Sequence, residues 1–390
     1  MERSIIHLNV ADFAVAIEKL LDRSLCNQPV IVTTARSSRP VVHDMSEEAF
    51  HEGVRKGMLL KEARRLCRKA VLKETQPKIY QKAMRGMLRQ ALPYTPLVEA
   101  GNHDGHLFMD VSGTGRLFGQ PSDIACRIRK STQNYLGLNP IWTVATNKLV
   151  AKAASRLVKP SGEYIVAAGT EDTFLAPLPL SLLPGLFRRE LIRMQEFNLR
   201  ITGQAAALSL SQLMIPFGKR AEKIYCAVRG IDSTPVFSMA RTPPKICVEH
   251  FFAHESNDWN LALTVLFKLA EKAGRRLRYR NLTARQISIF LEYADRQQAV
   301  RQTTVKKGLC HDDTLFCLAR TILQRAWTRR VQLRCLRLTC DKLTIPSPQA
   351  CLFPEEKKHT VRQQNLTSAL DRIRGRHGEA SIRHARCFAY

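Results

Sequence analysis

The chain has 390 residues, with 61 Lys and Arg against 34 Asp and Glu, a formal net charge of +27. Its hydrophobic fraction of 45% beside 24% charged residues is that of globular protein, and its length predicts about two to four domains rather than one core. The charge points to a polyanionic partner, nucleic acid ahead of a membrane surface, and no run of about 18 apolar residues offers a membrane span.

In chain order, residues 4–10 read as a strand carrying Ile5, Ile6, Leu8 and Val10. Phe13, Ile17, Leu20 and Leu21 then form a helical stripe, and Val30–Val32 a short buried strand. Residues 46–68 look helical and basic, with Gly53 and Gly57 as points where a helix can stop. A helix follows at 76–92. Residues 97–119 read as a hairpin, with turn chemistry from Asn102 to Gly105 and a strand from Leu107 to Val111. Helices at 121–136 and 147–158 flank a strand at 140–145. Together these make a mixed sheet with helices.

Residues 170–232 are short helices around Pro184-Gly185. A tight Leu-Pro-Gly turn between short helices points backbone N–H groups outward, which suits a DNA phosphate. A plain helical hairpin reads equally well, because the second glycine of the usual turn is Phe187 here. The proline-rich stretch 230–245 is an interdomain linker. Beyond it the order is strand 246–252, helix 258–277, strands 286–293 and 299–306, helix 312–327 and strand 331–341. That β-α-β-β-α-β order is ferredoxin-like. Residues 241–345 hold 20 Lys and Arg against 9 Asp and Glu. Arg275, Arg276, Arg278, Arg280, Arg285, Lys306, Lys307, Arg329 and Arg330 crowd helix ends and strand edges, and are expected to meet phosphates. A last amphipathic helix, 363–378, carries Leu366, Leu370 and Ile373 on one stripe. Eleven cysteines without a C-x-x-C pair argue against zinc and for thiols in a reducing cytosol. The N-terminal apolar run has no small-residue cleavage site, so the expected location is cytoplasmic and nucleoid-associated.

"IIHLNVADFAVAIE" (5–18), "LFMDVSG" (107–113), "TNKLVAKAASRLVKPSGEYIV" (146–166) and "FGKRAEKIYCAVRGID" (217–232) stand in an order and at spacings that resemble the Y-family (UmuC/DinB-type) translesion DNA polymerases. The likeness runs along nearly the whole chain. It implies an α+β multi-domain, right-hand polymerase architecture. The palm would be 1–165, with fingers inserted at about 20–75. A helix-hairpin-helix-like thumb at 166–232, a linker at 233–245, a ferredoxin-like little finger at 246–345 and a tail at 346–390 would follow.

Such polymerases hold two Mg²⁺ ions with three carboxylates, because magnesium demands hard anionic oxygen. Those positions fall here on Asn9, Gly105 and His106. Asp12 and Asp104 lie close by, each off the metal position by a residue. The triphosphate-gripping Tyr and Arg fall on Glu47 and Phe50, and the ribose-screening residue on Ala14. Lys148, the palm lysine position, is kept. Glu47 repels a triphosphate and Phe50 cannot offer the hydrogen-bonding fork of Arg. "QACLF" (349–353) is similar to the bacterial clamp-binding pentapeptide. Gln349 would fill a polar subsite there, while Leu352 and Phe353 bury in a groove, as apolar anchors do.

The expectation is a DNA-binding protein of damage tolerance and the SOS response that no longer transfers nucleotides, similar to the ImuB branch. Its expected partners are damaged or primer–template DNA, the β sliding clamp, another DNA polymerase and an ImuA/RecA-like protein. No cofactor is expected. Two alternatives stand beside it. One is a divergent, active translesion polymerase using Mg²⁺ held by Asp12 and Asp104. The other is a basic nucleic-acid-binding protein without a clamp role.

Overall fold

The structure, a computed structural model, describes residues 3–34, 40–101, 103–238, 245–346, 354–378 and 381–382, with the backbone alone over 354–364. The chain divides into two compact units that part between residues 242 and 243.

In the first unit, β1 (Ile5–Asn9) leads into α1 (Phe13–Leu21). Then come β2 (Val30–Thr33), β3 (Val42–Met45), α2 (Glu47–His51), α3 (Leu60–Leu66), β4 (Val71–Glu74) and α4 (Pro77–Ala91). The hairpin β5 (Val98–Ala100) and β6 (His106–Asp110) follows, then α5 (Gly115–Phe118), α6 (Pro121–Leu136), β7 (Ile141–Ala145), α7 (Lys148–Leu157) and β8 (Glu163–Ile165). The main sheet has the order β5-β6-β1-β7-β8, with β1 antiparallel to both neighbours and β7 parallel to β8. Side chains on a strand alternate between faces. Ile6, Leu8, Leu107 and Met109 therefore share one face and join Tyr80, Met84 and Met87 of α4 and Ile124 and Ile128 of α6 in one core. The opposite face carries His7, Asn9, His106 and Phe108, and α7 crosses part of it. There the Thr143 hydroxyl donates to the Ala151 carbonyl at 2.7 Å.

A second, three-stranded sheet, β3-β2-β4, packs Ile31, Val42 and Met45 on Ala49, Val54 and Ala63. The segment 46–68, expected to be helical with stops at its glycines, holds the two short helices α2 and α3. Gly53 and Gly57 adopt φ of 91° and 80°, which ends α2, and a loop separates it from α3. Helices α8 (Glu171–Leu175), α9 (Arg188–Glu196), α10 (Thr202–Ala206), α11 (Leu210–Phe217) and α12 (Ala221–Val228) gather around Leu175, Leu183, Met194, Leu213 and Ile224.

The second unit runs β9 (Ile246–Ser256), α13 (Trp259–Tyr279), β10 (Thr283–Tyr293), β11 (Gln298–Leu309), α14 (Asp312–Ala326) and β12 (Leu333–Thr344). The β-α-β-β-α-β element order is the one expected, and the sheet order is β11-β10-β12-β9, antiparallel throughout, with the second and fourth strands central where a ferredoxin-like sheet centres its first and third. Leu266, Phe267 and Leu277 of α13 and Phe316 and Ile322 of α14 meet Ile287, Ile289 and Leu338 of the sheet, with the Phe267 and Phe316 rings edge to face at 5.2 Å. The last helix, α15 (Pro354–His377), starts nine residues before the expected 363. No helix among the described residues is long and apolar enough to cross a membrane.

Candidate active site

The end of β1 and the start of β6 lie side by side, Asn9 opposite His106. The Val10 N–H donates to the Gly105 carbonyl at 3.0 Å, which closes the β5–β6 turn over the β1–α1 turn. This brings the three expected metal-ligand positions together, and none carries a carboxylate. Asn9 is 1% exposed and its side-chain amide nitrogen has no protein partner.

Gly105 adopts φ 79°, and a Cβ on it would stand 2.8 Å from the Phe13 Cβ. Real Cβ atoms do not approach that closely, so this position is sterically shut as well as uncharged. His106 points onto the sheet face, its Nδ1 3.1 Å from His7 Nε2, and the rings stack with centroids 5.2 Å apart. His7 stacks in turn on Phe108 at 4.4 Å and is fully buried. Burial, then His106 and the nearby Lys152, keeps His7 well below the usual histidine range. Burial, with Lys152 and Lys159 adding to it against an opposing Asp104, pushes His106 down to about 4. Two neutral imidazoles therefore share this face, and one of them, His106, stands at a position expected from the resemblance to have lost its carboxylate.

Of the nearby carboxylates, Asp104 and Asp44 are held by protein contacts. Asp104 folds back on its own hairpin, its Oδ1 accepting the His106 N–H at 3.3 Å and lying where a Gly101 Cβ would be. Asp12 sits at φ 46° before α1 without capping it; burial, then Asp44, raises its pKa. Asp44 was missed at the level of sequence. It is buried, accepts the Ala14 N–H at 2.9 Å and pairs with Lys56 at 2.7 Å. An Asp inside a short strand carries no local sign of such a role. Basic groups gather on the same side of the sheet: burial lowers the pKa of Lys152, Arg156 and Lys159, each followed where charges act by a neighbouring cation. Among the described residues no three His, Cys, Asp or Glu side chains are grouped to hold a metal ion. A neutral amide, an imidazole and a glycine do not fit a pair of Mg²⁺ ions.

The substrate-gripping positions are equally committed. Glu47 faces His51 at 3.6 Å one turn along α2, and the Phe50 ring lies under the Arg55 guanidinium at 3.9 Å. Ala14 is buried in α1. Lys148 pairs with Glu99 at 3.0 Å, and Glu99 also accepts the Phe237 N–H at 3.1 Å. Glu99 of β5 thus ties together Lys148 of α7 and the start of the linker.

The expected phosphate contacts fall into two groups. Gly185 is exposed at φ 88° beside a buried Pro184, so the turn is real. Its neighbouring donor is used, however: Glu190 accepts the Phe187 N–H at 2.8 Å and pairs with Arg220 at 2.8 Å. In the second unit Arg280, Lys306, Lys307 and Arg330 are exposed, and Arg276 donates to the Cys247 carbonyl at 3.0 Å. Arg329 pairs with Asp295 at 2.7 Å. Arg278 does not face solvent as expected. It forks between Asp312 at 2.6 Å and Asp371 of α15 at 2.7 Å, and donates to the Cys310 carbonyl. No local pattern announces a partner 93 positions away. Gln349, Leu352 and Phe353 lie outside the described residues.

Comparison with known proteins bears on the family and the fold. Residues 8–156 match the impB/mucB/samB family, and residues 243–352 match the impB/mucB/samB family C-terminal domain. The chain is 33% identical to a DNA polymerase IV of Desulfatibacillum aliphaticivorans over 390 residues, 98% of this chain and 96% of that one. It is 28% identical to a DNA polymerase IV of Dehalococcoides mccartyi over 387 residues, covering 99% and 98%. A Y-family DNA polymerase chimera of Dbh and Dpo4 superposes with a TM-score of 0.74 at 18% identity, covering 88% of this chain and 99% of that one. DinB from Sulfolobus solfataricus gives 0.63 at 18%, covering 88% and 100%.

Proposed function

The chain belongs to the impB/mucB/samB family, and from that premise we propose that it is a Y-family protein that binds primer–template or damaged DNA without transferring nucleotides. It then serves as an adaptor in damage tolerance, held at the sliding clamp by Gln349, Leu352 and Phe353 and working beside a second polymerase. The observation that carries this reading is the site at Asn9, Gly105 and His106. In-line displacement of pyrophosphate needs two cations to neutralise the attacking and leaving oxygens. This face offers them a buried amide, two neutral imidazoles and a turn closed against Phe13.

What the scaffold retains is the binding half of the task. Exposed Arg280, Lys306, Lys307 and Arg330 supply sequence-independent phosphate contacts. Without the triphosphate-gripping pair, a nucleotide is neither oriented nor charge-compensated.

A second reading rests on the relatives, which are named DNA polymerase IV along their full lengths. On it the chain polymerises with Mg²⁺ drawn in by Asp12 and Asp104. Primer extension on the purified chain separates the two. No extension above background with Mg²⁺ or Mn²⁺, alongside retained DNA binding, is the expected result. Robust extension that is abolished by Asp104→Ala would overturn the adaptor reading.

A further inference from the structure

In the second unit, helix α13 begins on Trp259 and helix α14 ends just before Trp327, and the two indole rings meet with centroids 5.4 Å apart and planes at 45°. Both rings pack against the core of that unit and are only half-buried. Both line a cavity of about 310 Å³, together with Asn257, Thr328, Arg329 and Arg330. The turn after α14 is fixed in place. Trp327 Nε1 donates to the Arg329 carbonyl at 3.0 Å, and Asn257 Nδ2 donates to the Arg330 carbonyl at 2.9 Å. Among the described residues the lining holds two arginines and no acid. Arg329 is neutralised by Asp295 at 2.7 Å. Arg330 is exposed, and its guanidinium has no acidic partner among the described residues.

We propose that this corner is a stacking site for one unpaired base of single-stranded DNA, with Arg330 on the adjoining phosphate. Indole faces are platforms for a planar base, and such stacking is indifferent to sequence. The charge then selects among the guests that indoles attract. A cationic guest meets two arginines and no acid in the lining. An apolar protein anchor would bury against the rings and leave Arg330 unmatched. A nucleotide supplies both the flat ring and the anion. A paired base is already stacked on its neighbours, so only an unpaired one reaches the site without the cost of unstacking. The two main-chain ties set the Trp327–Arg330 turn before anything binds, which removes an ordering cost. The inference rests on the DNA-binding half of the proposed function and not on the loss of nucleotide transfer.

The test uses the full chain with a short oligothymidine strand, a strand of equal length built from abasic units, and a blunt duplex. Tryptophan emission reads stacking, and anisotropy of the labelled strands reads affinity. Trp142, the third tryptophan, is buried in β7 and gives a constant background. Oligothymidine is expected to quench the emission and to bind about tenfold more tightly than the abasic strand. Trp259→Leu should remove most of the quenching and weaken oligothymidine by about tenfold, with duplex affinity unchanged. Trp259→Phe keeps a ring against the core, so it remains informative if the leucine variant does not fold, and should weaken the strand by a few-fold only. Arg330→Gln should weaken the strand by a few-fold and leave the quenching at saturation in place. Equal binding of the two strands without quenching overturns this proposal alone, since duplex binding then still supports the proposed function. A chain that binds neither strand nor duplex sinks both. Quenching by a peptide that carries Phe beside Glu, where oligothymidine gives none, overturns the proposal by assigning the corner to a protein partner.

Discussion

Gly105 sits at φ 79°, and the turn it makes lets β6 start against Phe13 more closely than a side chain permits. Gly105→Ala is therefore expected to lower stability by roughly 1–3 kcal/mol, from crowding added to backbone strain. A urea midpoint shifted down without change in slope is the check. Restoring Asp at Gly105 and Asn9 together should cost stability before it creates any metal affinity. The imidazole pair sets a pH dependence. Both folded-state pKa values are depressed, His106 to about 4 and His7 in the same direction, against an unfolded value near 6.5. The stability contributed by keeping them neutral is present above about 6.5 and is lost as the pH falls toward 4. Melting temperature should drop through that window, and His106→Gln should flatten the fall. Asn9, Ala14, Glu47, Phe50, Gly105 and His106 could be read from the sequence because a family motif fixes their register. Asp44 could not, since its two partners come from other elements.

At the scale of elements, what was legible followed from periodicity. The strands around Leu8 and Leu107 alternate cleanly, and the two long helices of the second unit each carry a full apolar stripe. Strands β3, β4 and β8 were missed because they are three or four residues long, too short for any period to show. The α2–α3 region reads as helical in the sequence, with Gly53 and Gly57 as points where a helix can stop, and the chain does turn at both, leaving two short helices. Helix α15 shows a different limit. Its Leu366 is 61% exposed, whereas Arg374 is buried on Glu271 at 2.6 Å and Asp371 on Arg278 at 2.7 Å. The charged side docks while Leu366 and Ile373 of the apolar stripe stay exposed, the reverse of what amphipathicity alone predicts. Partly buried, charge-assisted pairs of this geometry hold an element firmly, and removing one partner strands the other. Asp371→Ala should speed amide exchange over 366–377 by about tenfold or more while β10 and β12 stay protected.

Across the whole molecule the +27 charge was the plainest signal, and the structure divides it between exposed side chains and internal ties. Exposed Lys306 and Lys307 belong to the first kind and Arg278 to the second. Lys306→Glu with Lys307→Glu should weaken binding to all duplex sequences alike and lower the slope of log K against log salt by about one to two. Arg278→Glu should instead lower thermal stability, since it sets three acids against one another. The central claim concerns the pair of metal ions. Mn²⁺ titration followed by electron paramagnetic resonance, on the full chain with primer–template and a matched nucleotide, addresses it without depending on turnover. The account predicts Mn²⁺ bound to nucleotide alone, with no spin-coupled pair on the protein. Two coupled ions per chain, lost on Asp104→Ala, would contradict it.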